Sequence, residues 1–393
     1  MTDINKIIDE KTSAIIDEII QIRRTIHENP EIAFEEHKTV GLVTGVLDRL
    51  NIPYRTGIGR TGVVAVLEGG GPGKTVAIRA DMDALPIEEQ SGLPFASKVP
   101  GKAHACGHDV HTATLLGIAM VLAEQRQRIQ GRVKFIFQPA EETLEGAKAM
   151  IADGVFDDPA IDVVLGYHNW PPLKAGTVGY HPAAAFGAFD AFDVTLKGIS
   201  GHAAHPHKAI DVITNASYFV TQLQTAVHRE IVPVYPVVVS IGQINAGTGR
   251  SILPESIELK GGARAHHPEV LVQVEAIMRR ILEGLKTGLR IDYELDYRKV
   301  TPALWNDPEI LGSVLSSARG ILGEDNVEEL AQASLGGEDL SWFTEKFPSA
   351  HLRIGSQVDG LDTMLHRNNY QCNELAIPTT IRAISRAALD LLA

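Results

Sequence analysis

Several short segments of the chain carry side chains that could bind a metal ion or transfer a proton, and the densest spans residues 104–111. It reads HACGHDVH and contains three histidines, one cysteine and one aspartate. Thiolate and imidazole groups are standard ligands of zinc and related metals. In extended backbone, Cys106 and His108 would point the same way, and Asp109 would suit the N-cap of a following helix. The segment alone is typical either of a metal site or of a surface histidine cluster around one buried cysteine.

Two adjacent carboxylates, Glu141 and Glu142, follow the apolar run 133–137, which has the pattern of a buried strand. The carboxyl ends of parallel strands form the edge of an α/β sheet where active sites are built. If the backbone is extended here, neighbouring side chains diverge, so one carboxylate could bind a metal while the other acts as a general base. A lone pair of glutamates is also common on a solvated surface.

Residues at the ends of other predicted strands widen the candidate site. His168 follows the apolar run 163–167, and His366 lies in a polar loop late in the chain. Asp81 and Asp83 follow the run 75–78, where a carboxylate could fix the tautomer of a metal-bound histidine. Taken alone, His168 is better explained as a core histidine, and the two aspartates are equally typical of a turn. Together they predict side chains gathered from strand-end loops at one edge of a sheet.

The elements that would position these residues alternate in the first half of the chain. Strands are predicted at 63–67, 75–78, 133–137 and 163–167, with helices at 109–123 and 144–151. This order indicates an α/β domain with a mostly parallel central sheet flanked by helices. The run Gly69–Gly73 resembles a phosphate-binding loop, but Glu68 and the strand that follows argue against that function. We predict a hairpin turn there instead.

From about residue 186 the pattern changes to β-α-β-β-α-β. The strands are predicted at 188–196, 237–244, 256–261 and 290–295, and the helices at 209–227 and 268–285. This order is typical of a small α+β open-faced sandwich of the ferredoxin-like type. We therefore predict a discontinuous first domain, residues 1–185 and 298–393, with a second domain of residues 186–297 inserted into it.

The composition of the 393 residues excludes several classes of protein. There are 36 Lys and Arg against 49 Asp and Glu, a net charge of −13, which argues against a nucleic-acid-binding surface. Two cysteines cannot build a disulfide framework, and no run approaches the roughly 18 apolar residues of a membrane span. Residues 1–20 mix charges among isoleucines at helical spacing, which predicts an amphipathic helix rather than a signal peptide. We expect a soluble, cytoplasmic protein with no membrane partner.

Seven motifs occur in order along nearly the whole chain. They read RADMDALP (79–86), HACGHDVHTA (104–113), FQPAEE (137–142), GYHNWP (166–171), GHAAHPH (201–207), GGEDLSW (336–342) and LHRNNY (365–370). On these motifs the chain resembles the metal-dependent aminoacylase and carboxypeptidase family, in the branch of hippurate hydrolases, bacterial N-acyl-amino-acid amidohydrolases and plant auxin-conjugate hydrolases. The resemblance implies a zinc-exopeptidase-like catalytic domain, with the inserted domain as a lid and dimerisation element.

The resemblance also implies a centre of two divalent metal ions per subunit. The implied ligands are Cys106, His108, Glu142, His168 and His366. Glu141 would be the general base and acid, and Asp83 an orienting carboxylate. Cysteine and histidine ligands favour zinc, while manganese, cobalt and nickel stay open. Whether Cys106 bridges both ions is also open.

Two residues of the inserted domain take roles through the resemblance alone. His202 would reach an active site, that of the partner subunit in a homodimer, and polarise the scissile carbonyl. Arg264 would pair with the free carboxylate of the substrate. Without the resemblance, a surface histidine cluster and an ordinary strand arginine are the simpler interpretations. Ser251 and Cys372 replace an asparagine and an aromatic residue that relatives often carry, which leaves the substrate preference open.

These observations predict an enzyme, a metal-dependent hydrolase that cleaves the amide bond of N-acyl-L-amino acids with an activated water. A dipeptidase or carboxypeptidase with the same metal centre is one alternative, and a catalytically silent binding protein on this fold is another. No further acidic residue stands out as a partner for the free amine of a peptide, which favours acyl substrates. The intact Glu141 argues against a silent protein.

Overall fold

The structure is a computed structural model and describes residues 4–393 of the chain. The helices are α1 (Ile4–Glu28), α2 (His37–Arg49), α3 (His108–Glu124), α4 (Gly146–Ala152), α5 (Val212–Glu230), α6 (Pro268–Leu289), α7 (Pro308–Leu322), α8 (Ser341–Thr344) and α9 (Ala376–Leu391). The strands are β1 (Tyr54–Ile58), β2 (Gly62–Glu68), β3 (Gly71–Asp81), β4 (Gln130–Gln138), β5 (Val163–Trp170), β6 (Val178–Tyr180), β7 (Ala184–Phe186), β8 (Ala188–Lys197), β9 (Gly201–His202), β10 (Val237–Ala246), β11 (Ile252–Leu253), β12 (Ser256–Ala265), β13 (Asp292–Thr301), β14 (Leu304–Trp305), β15 (Val327–Glu329) and β16 (Ser349–Gly355). None of the helices in this range is long and apolar enough to cross a membrane.

The described chain divides into two compact units. The first comprises the residues up to Ala185 together with Trp305–Ala333 and Asp339–Ala393, and the second comprises Phe186–Leu304 and Ser334–Glu338. The limits 186–297 of the inserted domain stay a prediction. The second compact unit extends past that limit to Leu304 and takes in a short segment from much later in the chain.

The first unit is built on a large sheet, which in residues 4–393 has eight strands in the order β1-β2-β4-β3-β5-β16-β6-β15. The central strands β4, β3, β5 and β16 run parallel, whereas β1, β2 and β6 introduce antiparallel pairs. Every residue of β16 and nearly every residue of β5 is buried, because both faces of the sheet are covered. Helix α3 is buried from His108 to Leu122 and packs against β3, α1 and α9. The predicted α/β fold with a mostly parallel sheet is confirmed.

The glycine-rich run at residues 69–73 does not form the predicted hairpin. Strands β2 and β3 are not neighbours, because β4 lies between them, antiparallel to β2 and parallel to β3. The Gly69 N–H donates to the Gly131 carbonyl at 2.9 Å, and a Cβ on Gly73 would lie 2.2 Å from the carbonyl oxygen of Gln130. Glycine is required here because the backbone passes in contact with the start of β4, not because it makes a turn.

The second unit has a four-stranded antiparallel sheet in the order β10-β12-β8-β13, against which α5 and α6 pack. Alternate residues of β8 are buried, as expected of a sheet with helices on one face. The element order is the split β-α-β pattern of an open-faced sandwich, as the sequence predicted. Strand β10 lies at one edge of the sheet.

Candidate metal centre

Strand β5, which carries His168, and the segments that follow β3, β4 and β16 bring the five predicted ligand residues together in the first unit. Candidate ligand atoms of Cys106, His108 and His168 all lie within 4.8 Å of one another, and so do those of Cys106, Glu142 and His366. Because Cys106 belongs to both groups, the five side chains form one cluster, which we call the ligand cluster. Its position at the carboxyl edge of the sheet agrees with the prediction.

Gly107 sets the relative positions of Cys106 and His108. The backbone between them is not extended, because Gly107 has a φ of 87° and α3 begins at His108. A Cβ on Gly107 would lie 2.2 Å from Nδ2 of Asn169, so a larger residue has no room. The predicted N-cap role of Asp109 is also wrong, because Gly107 holds the N-cap position and Asp109 lies inside the first turn. The motif therefore works through a left-handed glycine rather than through strand geometry.

The Asp109 carboxylate instead joins a buried ion cluster with helix α1. Its Oδ2 lies 2.7 Å from Nε of Arg23 and 2.8 Å from Nδ1 of His27, and all three side chains are at most 1% exposed. Burial alone would raise the pKa of Asp109, but the charges of Arg23 and His27 hold it well below its usual range. The residue next to His108 is therefore an ionised carboxylate whose countercharge comes from the N-terminal helix.

The two buried histidines of the ligand cluster each present Nε2 to the site. His168 Nδ1 lies 2.7 Å from the Asn169 carbonyl oxygen, to which it must donate, so the Nε2 lone pair faces Cys106 Sγ at 3.4 Å. His108 Nδ1 lies 3.3 Å from Asp83 Oδ1, and its buried Nε2 has no hydrogen-bond partner. An imidazole that is held through Nδ1 and presents Nε2 to the other candidate ligands is the arrangement found in metal-bound histidines.

The carboxylate of Asp83 holds the Glu141–Glu142 pair in place. Its two oxygens accept the backbone N–H groups of Glu141 and Glu142, each at 3.0 Å, while Oδ1 also contacts His108. Ala140 has a positive φ of 52°, so this backbone is a tight turn and not the extended segment considered from the sequence. Asp83 thus links both glutamates to the histidine, which suits the orienting role predicted for it.

The side chain of Glu142 lies between two histidines. Its Oε2 is 3.3 Å from Nε2 of His366, and its Oε1 is 3.8 Å from Nε2 of His108 with no hydrogen-bond partner. Glu141 Oε2 lies 4.0 Å from the same His108 nitrogen, so the second glutamate borders the cluster. His366 is the exposed member and adopts a positive φ of 64°.

The electrostatics of the ligand cluster favour a bound cation. Burial lowers the pKa of His108, but the carboxylates of Asp81, Asp83 and Glu142 outweigh this and raise it to about 10. Burial and the neighbouring glutamates raise the pKa of the Cys106 thiol. Several buried carboxylates beside polar atoms without hydrogen-bond partners destabilise a folded protein unless positive charge compensates them. Soft sulfur, imidazole and carboxylate donors with unsatisfied atoms therefore fit divalent metal ions.

A network behind the cluster was not found from the sequence. His111 Nδ1 lies 2.6 Å from Asp81 Oδ1, and His111 Nε2 accepts the Asn169 N–H at 3.0 Å. Both nitrogens of His111 are therefore engaged, and this third histidine of the motif is a support rather than a ligand. The motif alone gives no signal for this, since the partners come from other strands.

The two predicted residues of the second unit lie in different surroundings. His202 is in β9, paired with β11, and its exposed imidazole accepts the Ala204 N–H at 3.0 Å. Arg264 is in β12, with its guanidinium 4.1 Å from the centre of the Phe189 ring and Nη1 3.3 Å from the Leu335 carbonyl oxygen. Arg264 lines a cleft of about 430 Å³ on its own unit, beside Lys260. Neither residue has an ion pair among the described residues.

Comparisons with known proteins identify the family of the chain. The sequence pattern of peptidase family M20/M25/M40 matches residues 77–390. The chain is 38% identical to the N-acetylcysteine deacetylase of Bacillus subtilis, over 86% of this chain and 88% of that protein. It is 35% identical to the hippurate hydrolase of Campylobacter jejuni, over 95% and 97%. Among solved structures, the YXEP protein of Bacillus subtilis, described as a dinuclear metal-binding peptidase of the M20 family, is 33% identical with a TM-score of 0.83, covering 97% of this chain and 99% of that one.

Proposed function

The chain belongs to peptidase family M20/M25/M40, and on that premise we propose that it hydrolyses the amide bond of N-acyl-L-amino acids at a centre of two divalent metal ions. It is an amide-bond hydrolase, as its relatives are. The observation that carries the proposal is the ligand cluster, with the carboxylate of Glu141 at its border. The acyl substrate class is supported by two relatives, one named as an N-acetylcysteine deacetylase and the other as a hippurate hydrolase.

The proposed metal ligands are the five residues of the ligand cluster. Cys106 belongs to both of its groups, which makes it the candidate bridging ligand. Its thiol would lose its proton on binding, because thiolate is the form that binds metals. Zinc suits this mixture of sulfur, nitrogen and oxygen donors, and manganese, cobalt and nickel are alternatives for the test.

Glu141 is the proposed general base and acid. When bound, divalent ions would lower the pKa of a water from about 15.7 towards about 7 and polarise the amide carbonyl. Glu141 would take the proton of the attacking water and then deliver it to the leaving amine. Its backbone N–H donates to Asp83, which holds the main chain from which the carboxylate extends. A positioned carboxylate of this kind accelerates proton transfer by about 10²–10⁴-fold.

We assign substrate roles to the two residues of the second unit. The exposed imidazole of His202 would donate to the oxygen of the scissile carbonyl, from the partner subunit of a homodimer. Arg264 would bind the substrate carboxylate, because a guanidinium presents two parallel donors. Its partial burial supports that role, since a partly desolvated guanidinium favours an anionic ligand.

A homodimer through residues 186–297 is part of the proposal. In residues 4–393, β10 pairs with β12 alone, so its outer edge has free backbone groups. The exposed apolar side chains of Val238 and Ile244 lie on the same strand. An open edge of this kind can pair with the same strand of a second copy. The two free cysteines, Cys106 and Cys372, suit a reducing compartment, and we propose a cytoplasmic location.

A substrate screen with defined metals tests the function. Metal-free protein would be supplied with zinc, manganese, cobalt or nickel and offered N-acetyl, N-benzoyl and long-chain N-acyl amino acids beside free dipeptides. We expect metal-dependent release of amino acid from an N-acyl substrate, lost with a chelator and restored by metal. Faster cleavage of dipeptides than of every N-acyl compound would contradict the substrate class. Failure to bind metal or to cleave anything would contradict the enzyme.

A further inference from the structure

Asn169, the residue after His168, contacts residues in and behind the candidate metal centre through its backbone and its side-chain Nδ2. Its side-chain Nδ2 donates to the carbonyl oxygen of Cys106 at 2.8 Å and also lies 2.7 Å from His111 Nε2. Its carbonyl oxygen accepts from His168 Nδ1, and its N–H donates to His111. Asn169 is 1% exposed, so no solvent competes for these bonds. One residue thus contacts two proposed ligands: its side chain bonds Cys106, 63 residues earlier in the chain, and its backbone carbonyl bonds the adjacent His168.

The amide of Asn169 is held in one orientation by Tyr370. The buried Tyr370 hydroxyl lies 2.5 Å from Asn169 Oδ1 and must donate to it, because an amide oxygen can only accept. Nδ2 is therefore the atom that faces the Cys106 carbonyl. A flipped amide would place two acceptors against each other and leave the tyrosine proton unpaired, which is unfavourable in a buried site.

Gly107 makes this contact possible. A Cβ on Gly107 would lie 2.2 Å from Asn169 Nδ2 and 2.5 Å from the Tyr370 hydroxyl. The Asn169 amide therefore occupies the space that any other residue at position 107 would fill. The side chains of Asn169 and Tyr370 therefore pack directly against the turn that connects Cys106 to His108.

We propose that Asn169 is a positioning residue that holds Cys106 and His168 in one rigid arrangement and so sets the metal affinity of the centre, with Tyr370 fixing its amide. This inference rests on the proposed metal centre. Partners of metal ligands commonly change metal affinity by about 10–100-fold when they are removed. Asn169 does not contact the substrate in this role and acts only through the two ligands.

Cobalt binding to the Asn169→Ala variant tests the inference. The side-chain bonds are removed, while the backbone bonds to His168 and His111 can persist. In competition with a chelator, we expect Co²⁺ affinity to fall by about 10–100-fold. The thiolate-to-cobalt absorption band, which reports on Cys106 directly, should weaken or shift. Unchanged affinity with an unchanged band would overturn the proposal.

Two further variants separate positioning from general stability. Tyr370→Phe removes one hydroxyl and keeps the ring, so it should reduce Co²⁺ affinity in the same direction by a smaller factor. This variant also tests the proposal if Asn169→Ala does not fold. Wild-type Co²⁺ affinity and an unchanged absorption band in Tyr370→Phe would then contradict the positioning role of Asn169. Asn306 is the matched control, a buried asparagine that bonds the His181 carbonyl at 2.7 Å and the His351 N–H at 2.6 Å. Asn306→Ala should lower thermal stability and leave the cobalt band unchanged; a change as large as that in Asn169→Ala would refute a specific role.

The unsubstituted protein distinguishes this inference from the proposed function. If it binds no Co²⁺ and shows no thiolate band, the metal centre itself is wrong. If it shows the band and both Asn169→Ala and Tyr370→Phe retain it with full affinity, only the positioning role is wrong.

Discussion

The ligand cluster and the His202 loop differ in how completely the fold has fixed their side chains. In the first unit, His108 and His168 are buried, and each has one nitrogen engaged by a protein oxygen. In the second unit, His202 is exposed and its imidazole accepts one N–H, from Ala204 two residues away. The side chains of the first region are pre-organised by long-range contacts, whereas the His202 imidazole accepts a hydrogen bond from a neighbouring residue of the same loop.

This difference indicates that some side chains must be held in place by the fold before a ligand binds, whereas others can adjust when it binds. A metal ion requires several donors at set distances before it arrives, because moving buried groups afterwards is costly. A hydrogen bond to a substrate oxygen requires one donor that is exposed and free to adjust. The predictions below test whether the two regions respond to substitution as this contrast requires.

The largest effect is expected in the pre-organised region. Glu141→Gln removes the carboxylate that moves the proton but keeps the shape and the backbone contact with Asp83. We expect kcat to fall by about 10²–10⁴-fold, with the metal content unchanged in elemental analysis. Turnover near that of the unsubstituted enzyme would remove Glu141 from the mechanism, and loss of metal would make it a ligand instead.

A somewhat smaller effect is expected in the exposed region. His202→Ala removes a donor to the carbonyl oxygen, which in comparable sites costs about 10²–10³-fold in kcat. Because the imidazole is exposed and makes one local bond, the melting temperature and metal content should stay the same. His205→Ala, at the neighbouring exposed histidine, is the control and should retain activity. Equal losses in both variants would attribute the effect to the loop as a whole.

Mixed dimers sharpen the same prediction. If His202 serves the partner subunit, mixing Glu141→Gln subunits with His202→Ala subunits should restore part of the activity. No recovery in verified mixed dimers would mean that His202 does not act across subunits.

The smallest effect among these changes is expected at Gly107. Gly107→Ala forces a side chain into a left-handed position and against the Asn169 amide. The strain of about 1–3 kcal/mol at such a site should lower metal affinity by about 10–100-fold. Titration of metal-free protein with zinc would measure this. Gly101, which also has a positive φ but open space around its Cβ, is the matched control, and Gly101→Ala should bind metal normally.

The elements that carry the site were predictable because their signals are local. Buried parallel strands are apolar along their length, so the runs 133–137 and 163–167 predicted β4 and β5. The ordered motifs predicted the fold and named the residues that the structure places in the ligand cluster. Their roles as ligands, base and substrate contacts stay proposals.

The details that the sequence missed depend on contacts between distant residues. The Gly69–Gly73 run suggested a turn, and only the sheet order shows that β4 passes between its flanking strands. Asp109 suggested an N-cap, but its partner His27 lies 82 residues earlier in the chain. Asn169 gave no signal at all, since its bond to Cys106 exists only in the folded site. Local patterns cannot report such partners.

Through the ion cluster of Arg23, His27 and Asp109, helix α1 supports the segment that carries the candidate ligand His108. Arg23 and His27 supply positive charge to a carboxylate that adjoins His108 in sequence and is sealed from water. A shortened chain that started beyond residue 28 would leave that charge uncompensated inside the protein, a defect of about 3–5 kcal/mol for a broken buried pair. Removal of α1 would therefore destabilise the first turn of α3, where His108 lies.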